Sequence, residues 1–107
     1  MSTFDERKDA YENKFAHDAE LHFRAEARRN RLLGHWAAEK LGKSGPDADA
    51  YSLSVVQADL EEAGDDDVFR KIRGDFDEAG VTTSDADIRR QMDEMLIAAA
   101  EQIERDG

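Results

Sequence analysis

The chain has 107 residues, with 26 acids against 15 bases and a formal net charge of −11, which bounds it to one small, acidic domain. It has no cysteine, so disulfide frameworks, thiolate metal sites and cysteine nucleophiles are excluded. The longest apolar run, Met95 to Ala100, falls far short of the roughly 20 residues a bilayer requires, and the first residues lack a basic-then-apolar signal pattern. The expectation is a soluble, untargeted, cytoplasmic chain whose charge disfavours a phosphate backbone as partner.

Thr3 with Glu6 three residues on predicts a capping box and a helix starting near residue 4. No proline intervenes before Leu41, and Gly42 can supply the left-handed residue that ends a helix. The spacing therefore predicts one long first helix of about 57 Å, too long for a domain of this size to cover. Its larger apolar residues form two groups: Phe4, Tyr11 and Phe15, then Leu21, Phe23, Leu32, Leu33, Trp36 and Leu41, the second dense enough to dock on the rest.

Ser44-Gly45-Pro46 reads as a turn with Pro46 in the first turn of a second helix. Leu53, Val56 and Leu60 form its predicted apolar face, and Gly64 its stop. Asp65-Asp66-Asp67 suits the start of a third helix, where carboxylates meet the positive end of the dipole; Val68, Phe69, Ile72, Phe76 and Ala79 follow before Gly80. Ser84 with Asp87 at N3 predicts a last helix, carrying Ile88, Met92, Met95, Leu96, Ala99 and Ile103 on one side. Gly34 and Gly74 also punctuate the chain. No run alternates as a strand should, so the fold class is all-α, a four-helix bundle-like domain.

Charge divides the chain in two. Residues 1–45 hold 8 acids and 9 bases, net +1, whereas residues 46–107 hold 18 and 6, net −12. Near the N-terminus only Phe4, Tyr11 and Phe15 interrupt a mixed-charge surface. Burying each gives about 1.5–3 kcal/mol, while ordering a dozen residues costs about 1–2 kcal/mol apiece. Alone, this segment should fray. A fraying helix with aromatic teeth on one stripe fits a helix-in-groove ligand, and the plainer reading makes the same aromatics part of the core.

The stretches Glu12-Asn13-Lys14-Phe15-Ala16-His17-Asp18 and Glu26-Ala27-Arg28-Arg29-Asn30-Arg31-Leu32-Leu33-Gly34-His35-Trp36-Ala37-Ala38 resemble the zeta subunit family of the alphaproteobacterial ATP synthase. Glu62 to Ile72 and Asp87-Ile88-Arg89-Arg90 extend the likeness over essentially the whole chain. The resemblance implies a non-catalytic inhibitor of ATP hydrolysis by the F1 motor, peripheral to the inner membrane through the synthase. It implies that residues 1–17 are a mobile inhibitory segment that folds while entering the interface of the F1 α, β and γ subunits. Residues 18–107 would stay outside as a four-helix body, and the protein would be a monomer with no cofactor. Within the segment, amphipathicity gives Phe4, Tyr11 and Phe15 the anchoring role and Arg7, Lys8 and Lys14 the pairing with acidic groups on F1; Asp5 and Asn13 complete the expected contact set.

Other motifs carry less. Ala37 to Ser44 ends like a phosphate-binding loop, but Ala37 stands where the first glycine is required and no strand precedes it, so a helix stop is the better reading. His17, His22 and His35 match no metal-ligand spacing. Asp65 lacks the calcium-loop glycine and glutamate, since those offsets fall on Arg70 and Phe76. Arg28, Arg29 and Arg31 form the one basic cluster, read as a solvated or interdomain face. A generic helical scaffold and a weak nucleotide-binding regulatory domain remain the alternatives.

Overall fold

A computed structural model describes residues 3–59 and 65–106. Among them are five helices and no strand: α1 (Phe4–Lys14), α2 (Ala19–Lys40), α3 (Gly45–Ala58), α4 (Asp66–Ala79) and α5 (Asp85–Asp106). The all-α expectation holds. α2 is the central element, packed on both α3 and α5; α4 lies against α3 and α5, and α1 lies on α5.

The single long first helix is corrected. The chain turns at residues 15–18, giving two helices where periodicity predicted one. The Phe15 amide donates to the Tyr11 carbonyl at 2.7 Å and closes α1, while Asp18 starts α2 by accepting from the Leu21 amide at 3.0 Å. With a longest extent of 38 Å, the molecule has no room for a straight helix of the expected length. The turn instead folds Phe4, Tyr11 and Phe15 back onto the body.

The remaining boundaries follow their local chemistry. The Glu6 amide donates to Thr3 Oγ1 at 3.2 Å and the Asp87 amide to Ser84 Oγ at 3.1 Å, as the caps required. Gly42 takes φ 77°, and Lys43 N–H reaches back to the Ala38 carbonyl at 2.9 Å, so residues 37–44 form a helix stop. The Gly64 stop and Leu60 lie outside the described residues.

Among the described residues two contiguous cores result. One gathers Leu33 and Ala37 of α2, Val55 of α3, Val68, Ile72 and Phe76 of α4, and Ile88 and Met92 of α5. The other holds Tyr11, Phe15, Ala25, Ile97, Ala100 and Ile103. The buried face of α3 is displaced by a residue from the expected one: Ser52 and Val55 are buried, whereas Leu53 is exposed and Val56 half-buried. The cause is the close crossing at Gly34, where an added Cβ would stand 2.6 Å from Ser52 Cα. Gly34 therefore lies inside α2 as a contact point, and Gly74 lies inside α4; neither stops a helix. Phe23 and Ala79, expected to pack, are exposed.

Candidate functional site

The segment singled out by sequence is α1, and its docked geometry is specific. Arg7 Nε and Nη2 each donate to a Glu101 carboxylate oxygen at 2.8 Å, and Nη1 lies 3.5 Å from Glu94. Lys14 Nζ pairs with Glu104 at 2.8 Å. Glu94, Ile97, Glu101 and Glu104 recur along α5 at spacings of three and four, so acids flank an apolar strip on one face. The Arg7 guanidinium holds the Glu101 carboxyl below its ordinary range, and Glu101 in turn raises Arg7.

Between the charged contacts, Tyr11 and Phe15 stack with ring centroids 5.6 Å apart and an interplanar angle of 16°. Both are buried against α2 and α5, and Phe4 is partly buried beside them. The Tyr11 hydroxyl and His22 Nδ1 share a hydrogen bond of 2.6 Å, and His22 Nε2 lies 2.7 Å from Glu26. Burial, reinforced by the negative charge of Glu26, pushes the Tyr11 phenol up to about 12. The phenol thus stays protonated at neutral pH, and the His22 ring bridges it to the Glu26 carboxylate.

The structure therefore brings Phe4, Arg7, Tyr11, Lys14 and Phe15 together on the face of α1 turned to the body. Asp5, Lys8 and Asn13 are exposed. Sequence reasoning missed His22 and the α5 acids as partners of this face; the spacing of residues 94, 97, 101 and 104 was the available signal.

A second polar assembly joins α2 to the C-terminal end of α3 and the N-terminal end of α4. Arg29, 1% exposed, reaches Asn30 Oδ1 at 2.9 Å and Asp65 at 3.0 Å, while Asn30 Nδ2 donates to Asp59 at 2.8 Å. Burial raises the Asp59 carboxyl against the opposing pull of Asn30 and Arg29. The cluster ties α2 to Asp59, which follows α3, and to Asp65, which precedes α4. Among the described residues no group of three or more histidines and acids is placed to hold a metal, and no helix is long and apolar enough to cross a membrane.

Residues 1–102 match the family model described as ATPase inhibitor subunit zeta. A chain described as a solution NMR structure is 45% identical, covering 81% of this chain and 99% of its own, with a TM-score of 0.73. No curated protein matches.

Proposed function

Since the chain belongs to the ATPase inhibitor subunit zeta family, and so has an ATPase-inhibiting role with the F1 part of ATP synthase as its partner, we propose that residues 1–17 carry the inhibition. In this reading the segment enters the interface of the α, β and γ subunits of F1, and the α2–α5 body stays outside. A helix wedged there blocks rotation in the hydrolytic direction.

The observation that carries the reading is the two-sided chemistry of α1. Its apolar and basic face already recognises an acid-flanked apolar strip, the one on α5. The same face suits a groove of like chemistry on F1. Because Arg7, Tyr11 and Phe15 are engaged with the body, insertion requires α1 to leave it, and the apparent affinity falls by the fraction of molecules in the released state.

The test is a photoactivatable side chain at position 11 in the full-length chain, bound to the cognate F1 complex. Adducts to β and γ are the expected result. Adducts confined to the outer surface of F1 contradict insertion.

A further inference from the structure

Along α2 runs an exposed stripe that neither core uses. Phe23 is 65% exposed and borders a shallow groove of about 220 Å³ with Arg24, Ala27, Arg28, Arg31 and Ile103. Positions 24, 28 and 31 fall on one helix face. Arg28 pairs with Asp106 at 3.0 Å, but the guanidinium groups of Arg24 and Arg31 have no ion-pair partner among the described residues. The sequence cluster Arg28, Arg29 and Arg31 is thereby divided: Arg29 is structural, and Arg24 joins the exposed set.

An aromatic ring flanked by arginines is the composition of interface anchors, since the ring presents a large apolar contact area and the guanidinium groups directional donors. The charges select the occupant. A second copy of the chain carries the same net −11 and is repelled, as is a phosphate backbone. The complementary surface is an acidic stretch of polypeptide that offers carboxylates to Arg24 and Arg31 and an apolar side chain to the groove beside Phe23.

We infer that this stripe is a second docking surface, holding an acidic patch on the outside of the ATPase next to the point where the N-terminal segment inserts. The inference rests on the proposed function, and the position of the stripe supports it. Phe23 follows the α2 cap, Asp18, by about 8 Å of helix rise, so a body held by the stripe keeps the segment beside its groove. Such tethering turns insertion into an intramolecular step. Rim charges act on association and salt dependence, and an apolar anchor acts on dissociation.

The experiment measures binding of full-length chains to the cognate F1 complex at about 50 and about 300 mM salt, with ATP hydrolysis followed in parallel. The variants are Arg24→Glu with Arg31→Glu, Phe23→Ala, and a charge-matched control, Lys40→Glu with Lys43→Glu, at the far end of α2. The arginine pair should associate about tenfold more slowly at low salt and converge on wild type at high salt. Phe23→Ala should dissociate about tenfold faster with unchanged association. Wild-type kinetics for both variants, or an arginine pair indistinguishable from the control, overturn the inference. So does a loss confined to oligonucleotide binding or self-association. Wild-type binding without inhibition overturns the inhibitory reading alone and leaves the stripe to be judged on these kinetics; absence of wild-type binding overturns both.

Discussion

Arg7 and Glu101, ninety-four positions apart in sequence, meet through two parallel hydrogen bonds of 2.8 Å. Such a forked pair fixes orientation as well as proximity. It sets the register of α1 on α5, bringing Tyr11 to His22 and Lys14 to Glu104.

Removing the acidic side of this contact should release α1 without unfolding the body. Exposed ion pairs contribute about 0.2–1 kcal/mol each. Glu101→Gln with Glu104→Gln should therefore lower amide-exchange protection over residues 4–14 by about threefold to tenfold. Protection at Leu33, Ile72 and Ile88 should stay unchanged, and inhibition of F1 should begin faster by a similar factor.

The same pair gives a pH dependence with a defined sign. Arg7 lowers the Glu101 carboxyl from its ordinary value of 4.5, so its stabilisation is complete above that value. It is lost as pH falls through the lower, folded-state value. Amide shifts of α1 should hold steady near neutral pH and move toward released values only below about pH 4.5. The Glu101→Gln chain should lack this component.

His35 titrates in the opposite sense. Its Nε2 lies 3.1 Å from Asp49, and this contact, with the Arg31 carbonyl, raises the imidazole from 6.5. The stabilisation is present below the ordinary value and lost as pH rises through the raised one. In Asp49→Asn, the His35 titration followed by NMR should move back toward 6.5.

Two glycines inside helices should respond with opposite signs. Gly34→Ala places a methyl 2.6 Å from Ser52 Cα and should cost about 1–3 kcal/mol in chemical denaturation. At Gly74 nothing lies within 4 Å of the added carbon, and alanine should stabilise by about 0.5–1 kcal/mol.

Helix existence was legible because it is written in local chemistry: Thr3, Ser84, Gly42 and Gly80 act on neighbours within four residues. What periodicity hid was tertiary. Asp18 is as good a cap as Thr3, but an unbroken run of helix formers masked it, and only the burial of Phe15 on α5 and α2 makes the turn favourable. The apolar face of α3 was misplaced because Gly34 admits Ser52, a small residue that hydrophobicity does not mark as core. The segment's residues were legible as a group; their docked partners were not, since Glu101 and His22 become neighbours of Arg7 and Tyr11 only after the turn.

The central claim is that the N-terminal segment carries inhibition while the body holds it. The most direct measurement is ATP hydrolysis by the cognate F1 complex, titrated with the full-length chain and with one lacking residues 1–17, each checked for helical content. The account predicts that the full-length chain alone stops hydrolysis. Equal inhibition by the shortened, folded chain would contradict it.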